Sequence, residues 1–113
     1  MAGHDNLAYA PVHAPVTVVA RFLAKDGQEA RVEETLRAMV APTRAEEACI
    51  SYDLYRSRDQ SAVFYMLENW RSREGLAAHM GMPYFAAMDT ALTDTLAEHY
   101  TVSVVEMVSP AAR

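Results

Sequence analysis

Glu68, Asn69 and Trp70 end an apolar run of the chain, and His79 follows them in the next predicted helix. A carboxylate that orients an imidazole makes the histidine a usable base near neutral pH. The amide and the indole N–H add further hydrogen-bonding groups. The same side chains also suit a packed corner between a strand and a helix, in which hydrogen bonds only tie the two elements together. A small-molecule pocket and a structural corner both remain open.

A hairpin is predicted to carry the first part of this group. Residues 62–70 are apolar on both faces of a strand, and residues 50–58 alternate in the manner of a strand. A short Asp-Gln-Ser turn joins them as antiparallel neighbours. Alternation along the second strand would place Asn69 on the opposite face from Glu68 and Trp70, unless the strand end twists or bulges.

Two helices are predicted to follow the hairpin. Residues 73–80 form a short helix that carries His79. A longer helix spans residues 84–97, because apolar residues recur there at helical spacing directly after Pro83. A strand end and the helix after it commonly pack together, so the imidazole is expected near the end of the hairpin.

The remaining elements complete an α+β fold. Residues 16–24 form a first strand, and residues 101–108 form a last strand. Between the first strand and the hairpin, a helix begins at Gln28 and is kinked or ended by Pro42. The order β-α-β-β-α-β predicts a ferredoxin-like antiparallel sheet with helices on one face.

The length and composition fit one domain. With 113 residues, of which 51% are apolar, the chain can bury a core of its own. Residues 16–108 are expected to form the domain, with an irregular arm at residues 1–15 and a short tail at residues 109–113. No secretory signal and no run long enough to span a membrane is visible, and Cys49 is the only cysteine. A reducing compartment, by default the cytoplasm, is therefore expected.

Composition and spacing disfavour several classes of function. The net charge is −5 and basic residues do not cluster, so nucleic acid is a poor partner. The histidines show no spacing typical of metal ligands, and the glycines form no loop that would cradle a phosphate. No metal and no nucleotide cofactor are therefore assigned. Cys49 has no activating neighbour in the sequence and is predicted to be a buried, inert thiol.

The strands also predict an association surface. Helices on one face of a sheet leave the other face to solvent, where alternate residues should be polar. Here both alternations are largely apolar, since Val18 and Phe22 alternate with Val19 and Leu23 in the first strand. An uncovered apolar sheet face is typical of an interface, so a homodimer joined sheet to sheet is expected.

The chain resembles the antibiotic biosynthesis monooxygenase (ABM) family, whose members are small dimeric α+β-barrel proteins. The resemblance covers roughly residues 16–107, and it rests on APTRAE at residues 41–46 and CISY at residues 49–52. It also rests on single residues further along the chain: Phe64, Glu68, Trp70, Leu76, His79, Pro83 and Phe85. In the family Pro-Gly commonly precedes the cysteine, where this chain has Glu-Ala. The resemblance implies a ferredoxin-like subunit that dimerises through its sheet.

The resemblance also implies a class of reaction. Characterised branches of the family oxygenate phenolic or polycyclic aromatic substrates to quinones with O2 as co-substrate and without metal or flavin, while others degrade haem or have no assigned reaction. A phenolic or quinol-type substrate would be deprotonated or anchored by His79, Glu68 or Asn69. Its aromatic body would lie against the rings of five further residues: Trp70, Tyr52, Phe64, Tyr84 and Phe85. The alternatives are a non-catalytic binding or stress-related dimer and a haem-binding protein.

Overall fold

The strands and helices follow the predicted order. The computed structural model describes residues 14–110, so most of the predicted N-terminal arm and the end of the predicted tail lie outside the described residues. The elements are β1 (Val16–Leu23), α1 (Glu29–Arg37), α2 (Val40–Arg44), β2 (Cys49–Arg56), β3 (Val63–Trp70), α3 (Arg73–Met80), α4 (Pro83–Thr93) and β4 (Thr101–Val105). The sheet has the strand order β2-β3-β1-β4, and each neighbouring pair is antiparallel. The predicted ferredoxin-like fold is confirmed.

The first part of the helical layer differs from the prediction. The sequence predicts one helix that Pro42 kinks or ends, whereas the structure has two helices, α1 and α2. The break comes before the proline, at Ala38 and Met39, and Met39 is buried there. Pro42 lies in the first turn of α2, where backbone N–H groups lack an intrahelical partner in any case, so the proline is compatible with that helix.

Two later elements end earlier than predicted. α4 stops at Thr93 rather than at residue 97, because the following residues return to the sheet and Leu96 forms an isolated bridge with Ala24. β4 stops at Val105 rather than at residue 108, because Val105 already pairs with Thr17 near the start of β1. Pairing with residues that are distant in the sequence therefore determines where α4 and β4 end.

The core lies between the sheet and the helices. Alternate residues of β3 face the helices and are buried: Phe64, Met66, Glu68 and Trp70. The buried face continues onto β1, because Val18 of β1 pairs with Glu68 and therefore lies on the same side of the sheet. Helical side chains cover the face, among them Val32, Leu36, Met88 and Leu92. Glu68 is therefore a carboxyl group inside an otherwise apolar layer.

The open face of the sheet is mixed rather than apolar throughout. Val19 and Leu67 pair with each other on this face, and Leu67 is 38% exposed. Beside them a polar row crosses three strands. Thr17 Oγ1 donates to Asn69 Oδ1 over 2.6 Å, and Asn69 Nδ2 donates to Ser51 Oγ over 2.9 Å. Hydrogen-bonded polar side chains thus interrupt the apolar surface that the sequence predicts.

The edge strand β4 lies outside the helical cover. Its residues are all exposed, including Val102 and Val104, which share the face that the helices cover on β1. One side of the helical layer is therefore open at the edge of the sheet.

Among residues 14–110 no helix is long and apolar enough to cross a membrane.

A close contact joins α3 to the segment before β2. An ideal Cβ atom on Gly75 would lie 2.3 Å from the Cβ atom of Ala48, far inside a normal contact distance. Gly75→Ala is therefore expected to lower the free energy of unfolding by about 1–3 kcal/mol, although alanine favours a helix interior by about 1 kcal/mol. Chemical denaturation followed by circular dichroism measures the change.

Two variants separate this contact from helix propensity. A Cβ atom on Gly81 would meet its nearest atom at 3.5 Å, so Gly81→Ala is expected to be tolerated. Ala48→Gly removes the opposing methyl group and should rescue Gly75→Ala in the double variant, because the next neighbour of the new Cβ atom is Ser72 Oγ at 3.5 Å. A Gly75→Ala protein as stable as the wild type would contradict the argument.

Candidate active site

A small cavity lies between the sheet and the helical layer. It encloses about 30 Å³, and its wall is mainly apolar. Glu68 from β3 and His79 from α3 both line it, so the structure brings the predicted carboxyl group and imidazole to one space. The rest of the lining consists of Val18, Ala20, Phe22, Tyr52, Leu76, Met80, Phe85, Met88, Tyr100 and Val102.

The helix α3 positions His79. Ser72 caps the helix by accepting a hydrogen bond from the backbone N–H of Gly75 over 3.0 Å, and Gly81 follows its last residue. His79 lies in the last turn and is 1% exposed. Its imidazole is therefore held inside the molecule by a helix with defined ends.

A carboxylate that the sequence does not predict contacts the imidazole. The Nδ1 atom of His79 lies 2.9 Å from Oε2 of Glu46, which precedes β2, and both side chains are largely buried. The hydroxyl group of Tyr84, at the start of α4, donates a short hydrogen bond to the same oxygen. Burial, with a further contribution from Glu46, raises the pKa of Tyr84 to about 12, so the phenol is a neutral donor.

Aromatic rings surround the imidazole of His79. The distance between ring centroids is 4.6 Å for Trp70, 5.3 Å for Phe85, 5.5 Å for Tyr52 and 6.5 Å for Tyr84. The phenylalanine and the nearer tyrosine approach edge-on, while the indole is tilted over the imidazole. Rings at these separations fix the orientation of the imidazole and limit the access of water.

Glu68 is a buried carboxyl group with an indole as its donor. It is 6% exposed and accepts a hydrogen bond from Nε1 of Trp70 over 2.9 Å. Burial raises the pKa of Glu68 to about 7, while the bond from Trp70 opposes the rise and the charge of Glu46 adds to it. Near neutral pH the group is thus divided between its charged and neutral forms, and it can give or accept a proton.

The pKa of Glu68 predicts how stability depends on pH. A carboxyl group whose pKa rises on folding stabilises the folded state at low pH and loses that contribution as pH rises from its ordinary value of 4.5 to about 7. Glu68→Gln keeps an oxygen for the indole N–H and removes the charge. The variant is therefore expected to lose less stability with rising pH than the wild type, by roughly 3 kcal/mol over this range.

Denaturation curves across this pH range measure the difference. Glu34→Gln is the matched control, because Glu34 is exposed on α1 and should leave the pH dependence unchanged. Parallel curves of stability against pH for the wild type and Glu68→Gln would show that folding does not raise the pKa of Glu68.

Most of the predicted site residues lie around the imidazole. The structure places the following at the cavity or directly beside it: His79, Glu68, Tyr52, Trp70, Tyr84 and Phe85. Trp70 packs on the imidazole and bonds to Glu68, yet it is not among the described residues of the cavity wall. Its position therefore suits support of the two polar groups rather than contact with a ligand.

Two predicted residues lie away from the cavity. Asn69 is on the open face of the sheet, where it bonds to Thr17 and Ser51, because neighbouring residues of a strand point in opposite directions. No bulge of β3 turns it toward Glu68. Phe64 is buried near the start of β3 and lines a separate groove at the β2 edge of the sheet. The structure therefore does not bring these two side chains to the imidazole.

The carboxylate partner of His79 also differs from the prediction. The sequence favours Glu68, which follows a strand just before the helix of His79, whereas the structure places Glu46 on Nδ1. Sequence reasoning misses Glu46 because 33 residues separate it from His79. The available signal is its position at the end of APTRAE, one of the segments that carry the family resemblance.

The remaining candidate groups take no part in this arrangement. Cys49 is buried, and burial raises the pKa of its thiol, which agrees with the predicted inert side chain. Within residues 14–110 no group of three or more His, Cys, Asp or Glu side chains is placed to hold a metal ion. His79 and Glu68 are the histidine and carboxyl side chains at the cavity wall.

Comparisons with known proteins identify the family. The sequence profile described as antibiotic biosynthesis monooxygenase matches residues 15–91, more than half of the chain. Rv0793 from Mycobacterium tuberculosis is 34% identical over 88% of this chain and 97% of its own length, and its structure matches with a TM-score of 0.81. PA3566 from Pseudomonas aeruginosa is 31% identical with a TM-score of 0.80, over 88% of this chain and 100% of the other. The chain belongs to the antibiotic biosynthesis monooxygenase family.

Proposed function

We propose that the chain is a monooxygenase that oxidises a phenolic or quinol-type aromatic molecule with O2 and without a metal or organic cofactor. The observation that carries the proposal is the buried imidazole of His79 at an apolar cavity that Glu68 also lines. Membership of the family supports a reaction of this type. A base and a proton donor in a space poor in water suit a substrate that reacts as an anion.

The role proposed for His79 is to remove the phenolic proton. The phenolate is electron-rich and passes an electron to O2, after which a carbon–oxygen bond forms at the ring. One oxygen atom becomes the new quinone carbonyl and the other leaves as water, with the substrate supplying all of the electrons and hydrogens that this water requires. Glu68 in its neutral form donates a hydrogen bond to a substrate oxygen.

The rings at the cavity are proposed to hold the aromatic body of the substrate. Tyr52 and Phe85 line the cavity and contact the imidazole edge-on, so they are the proposed walls. Trp70 donates a hydrogen bond to Glu68 and thereby holds the carboxyl group in place. Asn69 and Phe64 lie outside the cavity and have no part in the proposal.

The cavity has to enlarge to admit such a substrate. A space of about 30 Å³ has room for about one water molecule. Met80 lines the cavity, is 51% exposed and has an unbranched side chain that changes shape easily. Val102 of the uncovered strand β4 lines the same cavity and is 49% exposed. The substrate is therefore proposed to pass between Met80 and Val102.

Oxygen consumption tests the proposal. The purified chain is incubated in air with phenols, quinols and anthrones, while an electrode follows O2 and absorbance follows quinone. Protein-dependent formation of quinone, unchanged by a metal chelator, is the expected result. The proposal is contradicted if no compound gives protein-dependent uptake, or if the chelator abolishes it.

A binding protein without turnover is the second candidate. The hydrogen bonds of His79, Glu46 and Tyr84 with one another would also suit a purely structural corner. In that case an aromatic compound quenches the fluorescence of Trp70, the single tryptophan, but no oxygen is consumed. A change in the Soret band on titration with haem would instead support the haem-binding alternative.

We also propose that two copies pair through the open face of the sheet. Leu67 and Tyr55 on that face are exposed large apolar side chains, at 38% and 53%. Pairing would cover them, while the polar row at Asn69 would lie toward one end of the interface. Light scattering at micromolar concentration tests the pairing, and the mass of a single chain would contradict it.

A further inference from the structure

We propose that Glu46 and Tyr84 are positioning residues that fix the tautomer of His79, with its proton on Nδ1 and the lone pair of Nε2 available to a molecule in the cavity. The catalytic part of this inference rests on the function proposed above, whereas the tautomer does not. Neither residue is among the described lining of the cavity, so both would act through the imidazole.

Two groups converge on one oxygen of Glu46. Nδ1 of His79 lies 2.9 Å from Oε2, and the hydroxyl group of Tyr84 donates to the same atom. A carboxylate oxygen has lone pairs for both hydrogen bonds, whereas a protonated oxygen at that position would have to donate one of them. The convergence therefore makes Glu46 the acceptor and Nδ1 of His79 the donor.

The other ring nitrogen has a different environment. Among residues 14–110 no side chain or backbone group forms a hydrogen bond with Nε2 of His79. When Nδ1–H donates to Glu46, the neutral ring carries its lone pair on Nε2, and no protein donor among these residues competes for it. Because His79 lines the cavity, that lone pair is available to a molecule bound there.

The same geometry supports the imidazolium that forms when His79 takes a proton. Its Nδ1–H already points at a carboxylate that is 9% exposed, so the new positive charge gains a nearby negative partner. Tyr84 holds that carboxylate from α4, while the backbone of Glu46 belongs to the turn before β2. Two separate elements thus set the direction in which the imidazole presents Nε2.

Nitrogen-15 NMR of the imidazole rings tests the tautomer without any substrate. The long-range nitrogen–proton spectrum distinguishes a protonated ring nitrogen from an unprotonated one, and the His79→Asn variant identifies the signals that belong to His79. The expected spectrum of the neutral ring shows Nδ1 protonated and Nε2 unprotonated. A neutral ring with its proton on Nε2 would overturn the inference.

Two substitutions of Glu46 separate orientation from charge. Glu46→Leu removes the acceptor, so a substantial fraction of His79 should move its proton to Nε2. Glu46→Gln keeps an oxygen that can accept both hydrogen bonds, so the tautomer should persist while kcat/KM falls about tenfold through loss of the charge. Glu47→Gln is the matched control, because Glu47 is the exposed neighbouring residue and should change neither quantity.

The two readouts distinguish this inference from the proposed function. If no substrate is turned over but the wild type has the expected tautomer and Glu46→Leu shifts it, the oxidation proposal fails and the positioning role stands. If turnover is found and Glu46→Gln has the kcat/KM of the wild type, the catalytic part is overturned. An unchanged tautomer in folded Glu46→Leu overturns the positioning role, and Glu46→Met, which has an unbranched side chain and also lacks the acceptor, takes its place should Glu46→Leu not fold.

Discussion

Replacing Trp70 with alanine is expected to lower the free energy of unfolding by about 3–5 kcal/mol. Trp70 is fully buried and is the largest of the fully buried side chains. Alanine would leave a void beneath the end of β3 and remove the indole that packs 4.6 Å from the imidazole of His79. It would also remove the indole donor to the buried Glu68. Denaturation followed by far-ultraviolet circular dichroism measures the loss, since the variant has no tryptophan fluorescence.

Trp70→Phe separates the packing of the ring from its hydrogen bond. Phenylalanine keeps much of the apolar volume but cannot donate to Glu68, so a smaller loss of about 1–3 kcal/mol is expected. The loss should be larger above the pKa of Glu68, where the carboxylate is charged and most needs a donor, than below it. An equal loss at both pH values would show that the indole N–H contributes little, and that Trp70 stabilises the fold through packing alone.

The sequence predicts the architecture well because its signals are local. Alternation along β3 and the helical spacing of α4 can be read without knowing what packs on them. The ends of elements are less accessible, because they depend on partners far along the chain. Leu96 leaves α4 to pair with Ala24, and no local pattern in residues 84–97 marks that bridge.

The candidate site likewise has one part that local sequence signals predict and another part that depends on distant segments. Glu68 and His79 are predicted together because they are close in sequence, and strand alternation correctly places Asn69 on the other face. The carboxylate on Nδ1 comes from Glu46, whose approach depends on the path of the chain between α2 and β2. The size of the cavity depends on side chains from several elements, and no single segment of the sequence encodes it.

His79→Asn is expected to lower kcat/KM for the oxidation proposed above by about 10²–10⁴-fold. The asparagine amide nitrogen can take the place of Nδ1 and still donate to Glu46, so much of the local hydrogen bonding is retained. What the variant lacks is Nε2, the nitrogen to which the proton would pass. Steady-state O2 consumption gives the rate, and circular dichroism shows that the assayed protein is folded.

His99→Asn is the matched control for this substitution. His99 is exposed, its Nδ1 lies 2.7 Å from the backbone carbonyl oxygen of Tyr100, and it is not among the described residues that line the cavity. The control should have the activity of the wild type. If folded His79→Asn also had that activity, the imidazole would not be the base. Glu68, whose pKa of about 7 leaves it partly charged at neutral pH, would then be the group at the cavity that takes the proton.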